Sequence, residues 1–551
     1  MRFLPASDQA LLVELDDLAQ TMALYRAALA QPIAGVQELI PAARTVLVHY
    51  APWQVRTPEL IRALARLGAQ ALRDCDAAHA SQGRVVDIPV HYTGEDLPDV
   101  AQLLGLSVAE VIARHSGQPY DAAFAGFAPG FVYLSGGANF QVPRRTSPRT
   151  RVLAGSVALG GNFSAVYPSA SPGGWQLIGV TEVPMWDLAR AEPAYIQPGF
   201  RVQFVDADRQ GAQVFLPAAT QPSASNQPPA IDAPAQTAIE FVSPGLQSIF
   251  QDSGRHGMSG LGISASGALD QGAMRQANRR VGNPVHTPVL ENVLGQLVLR
   301  AHGACTLAVS GAQVALRVRS ADGHSWEVPG DQAVALDDGD TLQLGAVQAG
   351  VRCYVAVRGG WGVDPVLGSC ATDTLALVGP QAVQAGQRVV VGQALPAQQL
   401  RAVEPGAGAR PSLPRAGETV TLDVVLGPRT DWFTAQALQT LTGQTWRVTP
   451  QSNRIGMRLE GAQPLERRNP AELPSEGTVV GAIQVPISGQ PVLFLADHPL
   501  TGGYPVIGCV APHHLDLAGQ IPVGAWIRFN PIRAFEEYSP GAQGAQRLQN
   551  N

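Results

Sequence analysis

The glycine pattern of residues 155–204 recurs at residues 481–529, and this repeat constrains the fold more than any other feature. The run GSVAL at 155–159 is matched by GAIQV at 481–485, and GGWQLIG at 173–179 by GGYPVIG at 502–508. Each copy ends in a glycine turn and a β-branched run, at 199–204 and 524–529. Such spacing is typical of hairpins that close a barrel or sandwich. The sequence therefore predicts a duplicated β unit.

Two Pro-, Ala- and Ser-rich stretches predict extended linkers within the 551 residues, a length that suits about three to five folded units. The predicted division is an N-terminal α+β domain (1–83), a β-barrel (84–216), a linker (217–237), a further β domain (238–400), a linker (401–417), a second barrel domain (418–538) and a frayed tail (539–551). The predicted fold class is mainly β with α+β.

The N-terminal part has clear local signals. An apolar run at 10–15 and a β-branched run at 45–50 predict strands, and residues 17–30 predict a helix. Thr57, followed by Pro58 and Glu59, predicts the start of a second helix. Ser107 and Glu110 form a capping box that predicts a third.

The charges exclude several functions. The chain has 44 acidic and 38 basic residues, and every basic one is arginine. Without lysine, the chain has no GxxxxGK[ST] loop, Schiff base or biotin attached to its own lysine. The mild acidity also argues against nucleic acid as a partner.

Five cysteines without a CxxC pair argue against a disulfide framework, and the eleven histidines lack metal-site spacing. No metal site is therefore predicted. Acids near the N-terminus interrupt any signal peptide, and no run reaches the roughly 18 apolar residues of a membrane span. We expect a cytoplasmic protein without membrane contact.

The run VPRRTSPRTRV at 142–152 places several arginines in one loop. Their guanidinium groups repel one another unless anions or carboxylates lie between them, which predicts a carboxylate- or phosphate-binding loop. A solvated surface is the alternative. The repeat offers Asn453 and Arg454, and we predict that this turn and the arginine loop correspond and line one cleft shared by the two barrels. The candidate binding residues here are Arg144, Arg145, Arg149, Asn453 and Arg454.

Further candidates lie in glycine-rich motifs. Asp252, Glu476 and Asp497 are candidate catalytic bases or magnesium ligands, although acids on such turns often only cap backbone amides. The glycine pairs predict close approach of backbone amides to an oxyanion. The remaining candidate binding residues are Ser171, Gly173, Gly174, Arg255, Thr501, Gly502, Gly503 and Tyr504.

Long motifs carry a resemblance to two known families. GFAPGFVYLSG at 126–136, PRRTSPRTRV at 143–152 and SPGGWQLIG at 171–179 resemble the KipI/PxpB family, or allophanate hydrolase subunit 1. SPGLQSIFQDSGRHGMSGLGISASGALD at 243–270, SNRIGMRLEG at 452–461 and ADHPLTGGYPVIG at 496–508 resemble its partner family, KipA/PxpC or allophanate hydrolase subunit 2. The chain thus resembles a fusion of the B and C subunits of 5-oxoprolinase.

The resemblance implies cyclophilin-like β-barrels and ATP-dependent opening of 5-oxo-L-proline to L-glutamate. It also implies ATP and Mg²⁺ as cofactors. The partner that it implies is a separate A subunit (PxpA, LamB/YcsF-like), without which the chain is expected to be inactive. A homo-oligomer remains open.

Two other functions remain open by the same resemblance. The paired modules also form the carboxyltransferase part of urea carboxylase, and KipI-like proteins bind sensor histidine kinases. Residues 378–388 depart from the family pattern, which has a longer glycine-rich segment with a GR element. Any ligand contact made there in relatives is therefore in doubt in this chain.

Overall fold

The computed structural model describes residues 1–75, 83–145, 147, 149–209, 236–405 and 412–540. Most of the predicted linker at 217–237, residues 406–411 of the second linker and the tail from 541 lie outside the described residues. We refer to the N-terminal unit (1–75), the first barrel (83–209), the middle unit (236–405) and the second barrel (412–540).

The N-terminal unit is a four-stranded sheet with two helices, in the strand order β1-β2-β4-β3. Asp17 caps the first helix by accepting the N–H of Gln20, and Thr57 begins the second, as predicted. The elements are β1 (Arg2–Ser7), β2 (Ala10–Glu14), α1 (Leu18–Ala30), β3 (Val36–Pro41), β4 (Thr45–Tyr50) and α2 (Thr57–Cys75).

The first barrel is a seven-stranded sheet in the order β12-β9-β10-β7-β6-β13-β5. Two hydrogen bonds between His91 and Val180 join its outer strands and nearly close it. The Ser107–Glu110 capping box begins α4, as predicted. The elements are β5 (Val85–Val90), α3 (Leu97–Leu104), α4 (Val108–Gly117), β6 (Tyr120–Ala125), β7 (Val132–Gly136), β8 (Arg149–Val152), β9 (Ser156–Gly160), β10 (Phe163–Val166), β11 (Ser171–Gly173), β12 (Gln176–Val180) and β13 (Arg201–Asp206).

The middle unit packs two antiparallel sheets around one apolar core. The strand orders are β20-β19-β22-β17-β14-β24 and β15-β16-β23-β18-β21. Its elements are β14 (Ala238–Pro244), β15 (Gln247–Gln251), α5 (Gln271–Arg280), β16 (Val289–Val293), β17 (Leu297–His302), β18 (Cys305–Gln313), β19 (Leu316–Arg319), β20 (Ser325–Val328), β21 (Ala333–Leu336), β22 (Thr341–Leu344), β23 (Ala349–Val357) and β24 (Arg388–Val390).

The second barrel is closed, in the order β25-β32-β29-β30-β27-β26-β33. The elements are β25 (Thr419–Leu426), α6 (Ala435–Gly443), β26 (Trp446–Val448), β27 (Gly456–Glu460), β28 (Glu476–Gly477), β29 (Ala482–Gln484), β30 (Val492–Phe494), β31 (Thr501–Gly502), β32 (Val506–Val510), α7 (Leu515–Ala518) and β33 (Trp526–Arg533).

The two barrels share one strand order. Starting from the first strand, the order is β5-β13-β6-β7-β10-β9-β12 in one and β25-β33-β26-β27-β30-β29-β32 in the other. In both, the first strand pairs in parallel with the last. The predicted duplication is confirmed at the level of strand order.

The N-terminal sheet joins the two barrels. Leu4, Leu12 and Leu47 pack against Phe494 and Val506 of the second barrel. Ala42 and Ala43 pack into an aromatic cluster of the first barrel. This sheet therefore fixes the barrels relative to each other. Among the described residues, no helix is both long and apolar enough to cross a membrane.

Candidate functional site

Four segments from three units meet at one place, which we call the junction. The segments are residues 126–131 of the first barrel, 252–270 and 366–378 of the middle unit, and 497–501 of the second barrel. Three of them fall within motifs that the sequence analysis singled out. The junction therefore brings together both halves of the chain.

The segment 126–131 contacts both partner units through its backbone. The N–H of Phe127 donates to Thr501 Oγ1 at 3.1 Å, and the N–H of Gly130 donates to the Leu261 carbonyl at 3.1 Å. A Cβ at Gly126 would lie 2.5 Å from Thr501 Oγ1, so only glycine permits this approach. Phe127 has a φ of 64°, a strained conformation for a large side chain, and such strain is common at functional sites.

Two of the predicted residues fix the segment 366–378. Asp252 accepts hydrogen bonds from Ser369 Oγ at 2.6 Å and from the Cys370 N–H at 2.7 Å. The buried Arg255 donates Nε to the Val366 carbonyl and Nη2 to the Ala371 carbonyl. Both side chains form hydrogen bonds with the segment 366–378, and these contacts hold the segment in place.

Asp497 anchors the same loop from the second barrel. Its Oδ2 accepts both the N–H of Thr374 at 2.9 Å and the Thr374 hydroxyl at 2.7 Å. Its Oδ1 accepts the Ser266 hydroxyl at 2.6 Å. Burial opposes ionisation, but Arg454 and these donors keep the pKa of Asp497 below its ordinary value. Asp497 is therefore a fixed carboxylate at the centre of the junction.

Arg454 lies between two buried carboxylates. It donates Nε and Nη2 to Asp497, each at 3.0 Å, and Nη1 to Glu291 at 2.5 Å. The remaining Nη2 contact goes to the Gly267 carbonyl at 2.6 Å. Its side chain is 2% exposed. All of its donor nitrogens are thus bonded within the protein, and this contact joins the second barrel to the middle unit.

Asp373 is a junction residue that the sequence analysis missed. It is 1% exposed, and its Oδ1 accepts the N–H groups of Leu375 and Ala376. Its Oδ2 is buried without a hydrogen-bond partner among the described residues. Burial, and then the negative charge of Asp497, raise the pKa of Asp373 to about 7. This carboxyl group can therefore gain or lose a proton near neutral pH.

His498 is a second junction residue that was missed. Its Nδ1 lies 3.0 Å from the Pro499 carbonyl, which can only accept, so Nδ1 carries the hydrogen and Nε2 is left with a lone pair. Burial lowers the pKa of His498 to about 4, so the ring is neutral. No hydrogen bond to Nε2 exists among the residues the structure describes. The only sequence signal was its position beside Asp497.

A cavity of about 300 Å³ opens beside the junction, between the first barrel and the middle unit. On one side it is lined by Trp186 and Leu188, and on the other by Ala376 and Leu377. Leu377 is 73% exposed and has a φ of 55°. The complete lining is Pro129, Ser169, Trp186, Asp187, Leu188, Ala376 and Leu377. The hydrogen bond from Ala376 to Asp373 connects this wall to the buried carboxyl group.

A larger groove of about 730 Å³ separates the middle unit from the second barrel. Asn453 lies on its wall, but the Asn453 Oδ1 caps its own turn by accepting the N–H groups of Ile455 and Gly456. Arg352 and Arg454 also line it. Both arginines contact Glu291, whereas Arg415, which also lines the groove, is exposed.

The arginine loop divides between two environments. Arg144 reaches the second barrel, where Nη2 donates to Ser475 Oγ at 3.1 Å and Nε lies 3.0 Å from Glu472. Arg145 and Arg149 instead donate to Asp96 of the first barrel at 2.9 and 2.8 Å. Carboxylates therefore separate these guanidinium groups, as charge repulsion requires.

The predicted correspondence between this loop and the turn at Asn453 and Arg454 is wrong. That turn precedes β27, whose counterpart is β7, whereas the arginine loop follows β7. The segment after β27 contains Arg467, whose guanidinium lies 5.6 Å from the ring of Tyr504. Arg144 lies 6.0 Å from Trp175, the counterpart of Tyr504 in the repeat. The prediction paired these two segments because both contain arginine, but the strand order shows that they are not counterparts.

The glycine pairs are packed against protein side chains. A Cβ at Gly173 would lie 2.3 Å from the Tyr167 hydroxyl, and one at Gly503 would lie 2.5 Å from Arg144 Nη1. Gly174 accepts the N–H of Arg145, and Gly502 faces Gln484. These glycines allow close packing of the barrel loops.

Glu476 and Ser171 lie on short strands beside these glycines. Glu476 pairs with Gly502 in the β28–β31 ladder, and its carboxylate forms a buried ion pair with Arg429. Ser171 pairs with Val152, and its Oγ is buried without a hydrogen-bond partner among the described residues. Of the predicted residues described by the structure, only Asp252, Arg255, Asp497 and Thr501 lie in the junction segments, and Arg454 contacts two of these segments through Asp497 and Gly267.

Two family models match the chain. Residues 1–196 match the model described as the carboxyltransferase domain, subdomains C and D. Residues 261–531 match the carboxyltransferase domain, subdomains A and B. The two matches together include three of the four junction segments and residues 261–270 of the fourth.

Relatives named as subunits of 5-oxoprolinase match each half separately. The chain is 34% identical to the C subunit of 5-oxoprolinase from Escherichia coli (strain K12), over 56% of this chain and 96% of that protein. It is 40% identical to the B subunit of 5-oxoprolinase from Escherichia coli O157:H7, over 31% of this chain and 78% of that protein. Urea amidolyase of Saccharomyces cerevisiae is 31% identical over 54% of this chain but only 17% of its own length.

A solved structure matches the whole arrangement. The crystal structure of TTHA0988 aligns with a TM-score of 0.77 and 34% sequence identity. The alignment covers 95% of this chain and 99% of that one. The fold therefore extends over both halves of a single polypeptide in that protein as well.

Proposed function

Because the chain belongs to the carboxyltransferase-domain family that includes the B and C subunits of 5-oxoprolinase, we propose that it is a fusion of these two subunits in an ATP-dependent 5-oxoprolinase. In this role it opens 5-oxo-L-proline to L-glutamate together with a separate A subunit. The observation that carries the proposal is the junction, where the B-like and C-like halves complete one another.

The 300 Å³ cavity is the proposed binding site for the lactam. It has the size of a small-molecule pocket, and neither half lines it alone. The apolar ring of 5-oxoproline would pack against Trp186 and Leu377, while Ser169 and Asp187 offer oxygen atoms to the lactam N–H. A site divided between the B-like and C-like halves explains why both are needed for one reaction.

Asp373 and His498 are the proposed proton-transfer residues. Neither side chain lines the cavity itself, and Asp373 adjoins it through its hydrogen bond with the Ala376 N–H. Opening a lactam breaks its C–N bond, and the departing nitrogen must gain a proton while the attacking water loses one. A carboxyl group with a pKa near 7 is suited to donate the first proton, because it is partly protonated at the working pH. The free lone pair of His498 Nε2 is suited to accept the second.

Asp497, Arg454 and Asp252 act in this proposal by holding the loop that carries Asp373. Thr374 is bonded to Asp497, and Cys370 is bonded to Asp252. Fixed geometry of this kind increases the effectiveness of a proton-transfer group. These three residues are therefore positioning residues rather than catalytic ones.

The charged candidate residues around the junction do not offer a free Mg²⁺–ATP site. Asp252 and Asp497 are fully engaged by donors from the protein, and Arg352 and Arg454 contact Glu291. The one cluster of three potential metal ligands among the described residues contains two histidines, whereas Mg²⁺ prefers oxygen. We assign no ATP step to this chain, and in our proposal the nucleotide site is completed by the A subunit.

The test is to mix the purified full chain with the A subunit, ATP, Mg²⁺ and 5-oxo-L-proline, and to measure glutamate and ADP. We expect both products only when every component is present, and no glutamate from this chain alone. Asp373→Asn should abolish most turnover, whereas Asp364→Asn, at an exposed site in the same unit, should leave it unchanged.

Two outcomes would contradict the proposal. Full glutamate production without the A subunit would show that this chain is a complete enzyme. No 5-oxoproline-dependent turnover in the mixture, with activity on urea or binding to a histidine kinase instead, would favour one of the alternative functions. The similarity to urea amidolyase is the reason for including urea.

A further inference from the structure

Asp423, His513 and His514 form a compact cluster on the second barrel, outside the junction segments. Asp423 lies on β25, and the two histidines end the 3₁₀ helix Pro512–His514. One ligand atom from each residue lies within 4.8 Å of the other two. It is the only such cluster of three or more His, Cys, Asp or Glu side chains within the described part of the chain.

The distances suit one shared metal ion. Asp423 Oδ2 is 2.9 Å from His513 Nε2 and 3.8 Å from His514 Nδ1. Zinc ligands lie about 2.0–2.2 Å from the ion, so two ligands at angles of about 90–110° are roughly 2.9–3.6 Å apart. The first pair falls in this range and the second lies just outside it.

The backbone fixes this arrangement before any ion binds. The Ala511 N–H donates to the Asp423 carbonyl at 2.8 Å, which joins the histidine segment to β25. Asn530 pairs with Asp423 on the neighbouring strand, and its Nδ2 donates to Asp423 Oδ1 at 2.7 Å. This contact orients the carboxylate with Oδ2 towards the imidazoles. Outer contacts of this kind accompany metal-binding carboxylates.

One nitrogen of the cluster already has a partner within the protein. His514 Nδ1 accepts the Asp423 N–H at 2.9 Å, so an ion bound at this nitrogen would take the place of that hydrogen bond.

An ordinary surface ion pair is the competing explanation, because His513 and Asp423 satisfy one another without a metal. The chain contains a suitable reference. His91 Nδ1 lies 2.9 Å from Asp208 Oδ1 on the first barrel, and both side chains are exposed. This pair has the same contact distance but no second histidine, so it represents an ion pair without the third ligand.

We propose that Asp423, His513 and His514 bind one Zn²⁺-class divalent ion, with water in the remaining positions and Asn530 as the outer contact. Two imidazole nitrogens and one carboxylate oxygen favour Zn²⁺, Co²⁺ or Ni²⁺ over Mg²⁺ or Ca²⁺. The ion would join β25 to the histidine segment. This proposal is independent of the function proposed above.

The test is calorimetric titration of the metal-stripped full chain with ZnCl₂, and with MgCl₂ for comparison. We expect one Zn²⁺ per chain, no binding of Mg²⁺ at this site and a higher melting temperature with Zn²⁺. Asn530→Ala should weaken Zn²⁺ binding by about 10- to 100-fold, as is typical of outer contacts. His513→Ala and Asp423→Asn should weaken it more, and His91→Ala should have no effect.

The proposal is overturned if the stripped chain binds no stoichiometric Zn²⁺. It is also overturned if His513→Ala, Asp423→Asn and His91→Ala all retain the same affinity, because the ion would then bind elsewhere. The His513 side chain is 55% exposed, so we expect its replacement to leave the fold intact. Unchanged melting temperatures of the metal-free variants check this expectation.

Discussion

Arg454 and Asp497 form a buried two-point ion pair, with Nε to Oδ2 and Nη2 to Oδ1 both at 3.0 Å. Arg454 also contacts Glu291 of the middle unit, and Asp497 also accepts two hydrogen bonds from Thr374. The pair therefore joins the second barrel to the loop that carries Asp373. This contact holds the C-like half of the junction together.

Replacing Arg454 by alanine should destabilise the protein strongly. The change leaves Asp497 and Glu291 as uncompensated buried carboxylates, and breaking a buried ion pair in this way typically costs about 3–5 kcal/mol. Denaturant unfolding measures this loss. Arg458→Ala, at an exposed position on β27, is the matched control and should be nearly neutral. Equal stability of the two variants would contradict the structural role of Arg454.

Replacing Thr501 by valine should disturb the segment 126–131 without changing the volume of the side chain. The N–H of Phe127 would lose its acceptor, which costs about 1–3 kcal/mol for a buried group. Thr501→Ser retains the hydroxyl and should retain most of the stability and activity. The measurements are the unfolding free energy and turnover in the assembled complex. A valine variant that behaves like the serine variant would refute this role of the hydroxyl.

Replacing Arg145 by alanine tests the anion-binding role predicted for the arginine loop. Arg149 continues to neutralise Asp96, so the melting temperature should change little. A lost charge-assisted contact to substrate or phosphate should lower kcat/KM by about 10- to 100-fold. Arg151→Ala, at an exposed position on β8, serves as the control. Full activity of both variants would make Arg145 a surface residue that only pairs with Asp96.

The helix starts were the most predictable part of the fold, because they depend on local sequence signals. The signals at Thr57 and Ser107 act within one helical turn, so the sequence alone located the starts of two helices. The duplicated barrel was also predictable, because glycine spacing records the register of turns and strands.

The junction was predictable only in part. Asp252 and Asp497 were predicted as site residues because they lie in glycine-rich motifs. The hydrogen bonds that their carboxylates accept come from a loop that is distant in sequence, at Cys370 and Thr374. Asp373 gave no local signal. Its raised pKa arises from burial and from Asp497, which lies 124 positions further along the chain. Such effects follow from packing between units, and a single sequence does not record them.

The melting temperature of the protein should depend on pH because Asp373 loses its proton near neutral pH. An unfolded aspartate has a pKa of about 3.9, whereas the folded group has a pKa of about 7. The folded state therefore favours the proton, and stability from this group is lost as pH rises from about 4 through 7. The melting temperature of Asp373→Asn relative to the wild type should increase over this range and level off above it. A difference that is independent of pH would contradict the raised pKa.

The most direct test of the proposed site is the turnover of 5-oxoproline by the complex of this chain with the A subunit, measured for wild type and Asp373→Asn across pH 5–9. A lost proton-transfer group typically costs about 10²- to 10⁴-fold. The account predicts a loss of this size in kcat, an intact fold and the disappearance of the wild-type pH dependence near 7. Full activity of Asp373→Asn with an unchanged pH profile would contradict it.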